Sequence, residues 1–297
     1  MDIRADIPGP DDGRFLSHPD RKEQRAPQVD PEVGVRFTHF FHARPELHAA
    51  LSLRLGGVSA PPFATLNLGG STADDPAALT ENGRRFYAAG GLDPARVVRM
   101  HQVHGARVVT ATSPGHVGAA DGLVTVEPDL ALLVTVADCL PVFLADPVAG
   151  VIGALHAGWR GLLAGVLEAG IAAARTAGAD PERIEVAMGP AIGACCFEVG
   201  PEVAAHFAPE ALRPGRRGRP HVDLAGAARA RLLALGLRAD SIRDPADCTL
   251  CRQDLYFSAR SGEPTGRMVG FIRRRPRRGG STGGARPEPP DQPSNAA

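Results

Sequence analysis

Residues 136–161 read VADCLPVFLADPVAGVIGALHAGWRG, and they place a thiol and an imidazole at the ends of apolar runs. LALLVTVADC leads into Cys139, and GVIGALH leads into His156. Upstream, MHQVHGARV carries His101 and His104, three apart across a strand end and a turn. On an extended strand an odd offset sends two side chains to opposite faces, so one of the pair can enter a pocket while the other packs or meets solvent. Histidine, cysteine and histidine together form a borderline-soft ligand set. It suits zinc with three protein ligands and an open fourth position, and suits copper less well because nothing marks a weak axial Met. It also suits a nucleophilic pair in which His156 activates Cys139. Spacing alone does not choose among the three.

Arg160 follows Gly158 and opens an apolar helix pattern, where a guanidinium can offer a bidentate contact to phosphate or carboxylate. Two further cysteine motifs stand apart. Cys248 and Cys251, in CTLC, have metal-knuckle spacing, but no second CxxC or HxxxH accompanies them. A zinc ribbon is therefore not expected there. Cys195 and Cys196, in GPAIGACCFEVG, read as a packed loop.

The elements that must position these groups follow from the hydrophobic pattern. VRFTHFFHA and ALSLRL read as strands, followed by a turn at Gly56–Gly57. A helix is expected from Pro76 to Ala89, capped by Asp75 and stopped at Gly90. RVVRMHQV and ARVVTAT flank a turn at Gly105, and GLVTVE, ALLVTVA, LPVFLAD and GVIGALH are short β-rich runs. Residues 160–177 read as one helix, RIEVAMG as a strand, VDLAGAARARLLALG as a helix and RMVGFI as a closing strand. Adjacent strands mixed with a few helices predict a single α+β domain over 35–273. Residues 1–34 and 274–297 are polar, rich in Pro, Gly and Arg, and too poor in apolar side chains to offset ordering entropy, so both tails are expected to be disordered.

The 33 basic residues balance 33 acidic ones, which argues against a general nucleic-acid binder. Lys22 is the only lysine, a bias that looks like coding rather than function. The opening MDIRADIPGPDDGR lacks an apolar targeting stretch, and no run approaches the ~18 apolar residues of a membrane span. Five cysteines, an odd count, do not read as a disulfide framework; thiols or metal ligands in a reducing cytoplasm are expected.

The set HQVHGARVV, ADGLVT, VADCLPVFLAD, ALHAGWRG, GPAIGACCFEVG and CTLCRQDLYFSARSGEPTGRMVGFI, with LSLRLGGVSAPPFATLNLG before it, resembles the laccase-domain family over about 51–272. That family is also called polyphenol oxidase, YfiH-type or peptidoglycan editing factor. The resemblance implies two mixed sheets packed between helices in α/β/β/α layers, similar to cysteine hydrolases related to a deamidating toxin. It implies a purine nucleoside phosphorylase acting on adenosine, inosine, guanosine and methylthioadenosine with phosphate, and deaminating adenosine. It also implies zinc held by His104, Cys139 and His156, with His101 a neighbour. Arg54 in LRLGG and Arg160 are the expected anion contacts, and Asp138 and Asp121 the expected proton carriers. Two other activities fit the same pocket: a cell-wall precursor hydrolase using the Cys139–His156 pair, and a copper-dependent phenol oxidase. The second is disfavoured because multicopper oxidases need many more histidine ligands.

Overall fold

The computed structural model describes residues 34–275 apart from 216, 217, 246 and 263; the two expected tails fall outside these, save Gly34 and the pair Arg274–Arg275. Strands β1 (Phe37–Phe40) and β2 (Leu47–Ser52) lead to helix α1 (Pro76–Ala89). Then come β3 (Val97–His101), β4 (Val108–Thr110), β5 (Gly115–Ala119), β6 (Gly122–Thr125), β7 (Ala131–Val136), β8 (Leu140–Asp146) and β9 (Val151–Ala157). Helices α2 (Trp159–Ala164) and α3 (Val166–Thr176) precede β10 (Glu185–Met188) and α4 (Pro201–Ala204). A small ribbon of β11 (Leu212–Pro214) and β12 (Pro220–Val222), helix α5 (Leu224–Ala234), β13 (Ile242–Arg243) and β14 (Met268–Arg274) complete the chain.

The strands form two six-stranded mixed sheets, ordered β1-β2-β14-β7-β3-β5 and β13-β10-β8-β9-β6-β4. Side-chain alternation explains why they stack. Along β7, Leu132, Val134 and Val136 turn toward Phe143, Ile152 and Ala154 of the second sheet. Ala131 and Leu133 turn the other way, onto Phe86 of α1. Along β8, Leu140, Val142 and Leu144 face Val166, Leu167 and Ile171 of α3 and Leu232 of α5. The order of layers is helix, sheet, sheet, helix, as the family resemblance implies.

Helix α1 begins and ends where the sequence predicts: the Asp75 carboxylate accepts from the Ala77 N–H at 3.0 Å, and the Gly90 N–H closes on Phe86 O. Elsewhere the pattern misleads. The single helix expected over 160–177 is two, because Gly165 adopts φ 94° and its N–H closes α2 on Gly161 and Leu162 before α3 starts. Strand β5 has no expected counterpart; GHVGA lacks apolar alternation and pairs only along one edge, parallel to β3. The first strand stops at Phe40 because Phe41 takes φ 55°. The closing strand runs one residue past 273, Arg274 pairing with Leu47.

At Gly270 of β14 the first sheet lies close against the second. A Cβ there would stand 2.7 Å from the Phe143 ring and 3.3 Å from Val134. Gly270→Val should therefore force the sheets apart, lowering stability by about 1–3 kcal/mol. A melting curve checks this; an unchanged transition would mean that the interface yields at no cost.

Candidate metal centre

The antiparallel hairpin of β8 and β9 pairs Leu140 with Ala157 and Pro141 with His156. That register puts the start of β8 and the end of β9 side by side. His156 shares its face with Ile152 and Ala154, between the sheets, and Cys139 lies two positions before Pro141 on the same side. Cys139 is not at the end of a buried strand, as the apolar run predicts. It sits in the bend where the chain leaves β7 in one sheet and enters β8 in the other. His104 arrives from the turn after β3, at φ 59°, a left-handed conformation rarely adopted by a residue with a side chain. The donor atoms of His104, Cys139 and His156 lie within 4.8 Å of one another, and the two imidazoles meet edge to face at 4.8 Å. His101 closes β3, is exposed, and lies outside this cluster.

Asp121 organises the cluster from below. It is fully buried, one residue before β6. Its carboxylate accepts the N–H groups of Val103 at 3.2 Å, His104 at 2.9 Å and Gly105 at 2.7 Å, which sets the turn that presents His104. It also meets His156 Nδ1 at 2.9 Å. An ionised carboxylate only accepts, so Nδ1 carries the proton and Nε2 is the nitrogen left for the cluster. Burial works to raise the Asp121 pKa, but the His156 contact and the backbone donors outweigh it and hold the carboxyl below its usual range. Sequence reading cast Asp121 as a proton carrier; the geometry gives it an orienting position, which no motif spacing announces.

Burial pushes the Cys139 thiol up, yet the adjacent His156 charge and hydrogen bonds from His104 and His156 bring it down to about 6. His156 moves the opposite way. Desolvation lowers it, while the Cys139 thiolate and Asp121 raise it to about 9. The two shifts run in opposite directions, so each group favours the charged form of the other. Gly158 supplies room: a Cβ there would lie 2.9 Å from Cys139 Sγ and 3.1 Å from His104. This donor set fits a borderline metal ion such as zinc: a thiol of lowered pKa, one oriented imidazole and a second on a pinned turn.

Asp138, at φ 82°, shapes the bend. Its carboxylate accepts from Thr249 Oγ1 at 2.6 Å, Ser258 Oγ at 2.9 Å and the Arg260 N–H at 3.1 Å, and burial pushes its pKa up. Arg54 is engaged elsewhere: its guanidinium donates to Ala64 O and Gln253 O and lies 4.6 Å over the Phe257 ring. Arg160 stacks on Trp159 at 4.3 Å and makes no ion pair among the described residues. Sequence reasoning missed Arg267, whose half-buried guanidinium is pushed down by desolvation, against the opposing charges of Asp138 and Cys139. It also missed Thr249 and Ser258, ordinary hydroxyls until the fold brings them to Asp138.

Among the described residues no helix is long and apolar enough to cross a membrane. Residues 48–275 match the family model described as multi-copper polyphenol oxidoreductase laccase. A protein of Streptomyces griseus named purine nucleoside phosphorylase ORF3 is 46% identical over 232 residues, which cover 76% of this chain and 93% of that protein. Purine nucleoside phosphorylase YfiH of Escherichia coli is 38% identical over 230 residues, 75% of this chain and 92% of the relative. The crystal structure of YlmD from Geobacillus stearothermophilus superposes with a TM-score of 0.74 at 35% identity, covering 78% of this chain and 93% of that one.

Two outcomes follow from the charge state of the cluster. Zinc added to metal-free protein at pH ~7.5 should release about one proton from the Cys139–His156 pair, together with any lost by zinc-bound water. Calorimetry in buffers of different ionisation enthalpy counts the protons, and release of none would mean that the pair does not bind the ion. Asp121→Asn keeps the shape but replaces a pure acceptor with an amide. Zinc affinity should fall by about 10–100-fold while the melting transition survives; an unchanged affinity would remove Asp121 from the positioning role.

Proposed function

The chain belongs to the multi-copper polyphenol oxidoreductase laccase family, and on that footing we propose that it is a zinc-dependent purine nucleoside phosphorylase that also deaminates adenosine. His104, Cys139 and His156 are the residues assigned to hold the ion. The observation that carries this reading is the converging His104, Cys139 and His156 set with Asp121 beneath it, in a chain similar over about three quarters of its length to proteins named purine nucleoside phosphorylase. Zinc bound there would supply Lewis acidity and a water of lowered pKa. Adenosine, inosine, guanosine and methylthioadenosine are the proposed nucleosides.

In phosphorolysis an oxygen of phosphate bonds to C1′ of the sugar as the bond to the purine nitrogen breaks, and the departing base takes up a proton. The anion is assigned to Arg160, whose guanidinium has no ion pair among the described residues and follows the Gly158 gap beside Cys139. Arg54, the other cation the motifs point to, already donates to two carbonyls, which supports a scaffolding part for it. The proton is assigned to Asp138. Its carboxyl is buried, pushed up by that burial, and bonded to two hydroxyls able to pass a proton on. In deamination water adds at C6 of adenine and ammonia leaves, so the proton traffic is needed but the anion contact is not.

Incubating the protein with adenosine should give inosine and ammonia without phosphate, and adenine with ribose 1-phosphate when phosphate is present. Absence of both product sets would overturn the reading, and copper in place of zinc on elemental analysis would overturn the metal. Arg160→Ala removes a charge-assisted contact of about 2–3 kcal/mol, more than tenfold in phosphate use. The phosphate requirement should rise steeply while phosphate-free deamination falls less. A parallel drop in a protein that melts normally would show that Arg160 does not hold the anion.

A further inference from the structure

The fold brings together two cysteine motifs that look unrelated along the chain. Cys195 and Cys196 stand in the loop after β10, and Cys248 and Cys251 in a turn more than fifty residues later. Contrary to the sequence expectation, the vicinal pair is the partner that CTLC lacked. All four sulfurs lie within 4.8 Å of one another, with Cys196 Sγ 3.4 Å and Cys195 Sγ 3.6 Å from Cys251 Sγ. Four thiolates around one zinc at about 2.3 Å would be separated by about 3.8 Å along each tetrahedral edge. A sulfur–sulfur bond would instead need about 2.0 Å. The observed spacings suit a shared ion.

The backbone around the four is arranged for close approach. Ala191 and Cys248 form a parallel bridge, and the Thr249 N–H donates to Ala191 O at 3.0 Å. Gly193 N–H points at Cys248 Sγ, 3.2 Å away, a donor that favours a thiolate. A Cβ on Gly193 would stand 3.2 Å from both Cys195 Sγ and Cys248 Cβ, so the missing side chain is what lets the two segments close. Both segments also grip the bend at Asp138: the Ile192 N–H donates to Asp138 O at 2.9 Å, and Thr249 Oγ1 to its carboxylate.

We propose that Cys195, Cys196, Cys248 and Cys251 form a second metal site, a tetrathiolate zinc centre that clips the 191–197 loop to the 248–251 turn and thereby braces the Asp138–Cys139 bend. Four sulfur donors in this arrangement exclude magnesium and calcium and suit zinc or iron, of which zinc is the ion proposed. Binding replaces the protons of the thiols, with no change in oxidation state. The site is independent of the His104–Cys139–His156 cluster in its ligands, and its role is structural: all four positions of the ion are filled by protein.

Elemental analysis of the full chain, purified anaerobically, tests this. The unsubstituted protein should hold one more zinc than the double variant Cys248→Ser, Cys251→Ser, and Cys139→Ala should keep that extra ion. Cobalt loaded in place of zinc should give intense thiolate charge-transfer absorption that survives Cys139→Ala and, in the double variant, falls to the weaker single-thiolate bands of the Cys139 site. The single variant Cys251→Ser, at an exposed position, covers the case in which the double variant does not fold; its cobalt spectrum should weaken and shift. Zinc content equal in the unsubstituted and Cys251→Ser proteins with no cobalt–thiolate bands beyond those lost in Cys139→Ala would overturn the proposal. So would mass spectrometry showing the four cysteines as disulfides, or iron in place of zinc. Loss of zinc from the double variant alone, with Cys139→Ala unchanged, would uphold this site and remove the other.

Discussion

One buried carboxylate holds the candidate centre together. Asp121 receives four N–H donors, three from the Val103–Gly105 backbone and one from the His156 ring. Taking a carboxylate out of water is costly unless its lone pairs are filled. Here the groups that fill them are the backbone of one candidate ligand and the ring of another. The same contacts that make the buried charge tolerable therefore fix the relative placement of His104 and His156. Neutralising or shortening Asp121 would release a turn held at φ 59° and free an imidazole to rotate.

The third side of the cluster depends on a crossing. The chain passes from the first sheet to the second in three residues, and Asp138 makes that step at φ 82°. A left-handed residue other than glycine costs on the order of 1–3 kcal/mol. Each intramolecular hydrogen bond contributes about 0.5–1.5 kcal/mol net, so the three donors from Thr249, Ser258 and Arg260 together are of the size needed to hold it. Those donors come from the far end of the chain. The candidate centre is thus complete only when the segment before β14 is in place against Asp138, so the site depends on contacts beyond the β8–β9 hairpin.

This dependence explains what could and could not be read beforehand. The apolar runs gave the strands through 131–157, because strands buried on both faces must be continuously apolar. The capped helix at Pro76–Ala89 was equally plain. The motif set pointed to His104, Cys139 and His156, and the fold does bring these three together. Gly165 went unread because one glycine inside a helical pattern is usually tolerated. The company of Cys195 and Cys196 with Cys248 and Cys251 went unread for another reason. Adjacent cysteines have no ligand spacing of their own, and only the parallel bridge from Ala191 to Cys248 makes the two motifs neighbours. Thr249, Ser258 and Arg267 lie inside a quoted motif, yet nothing in the motif assigns them a part until tertiary structure places them around Asp138.

The register of one hairpin and the geometry of one turn divide the work unequally. Cys139 and His156 are set by β8 and β9, whose pairing is buried on both faces and cannot slip by one residue without moving Leu140, Val142 and Leu144 out of the core. His104 is set by a turn near the surface, held mainly through Asp121. The pair is also mutually supporting, since Cys139 and His156 each favour the charged form of the other across the gap. A metal ion entering this site meets two donors already in place and needs to settle only the third. The ordering cost of the site then falls largely on His104, and Asp121 is the residue that lowers it, by holding the turn from which His104 projects.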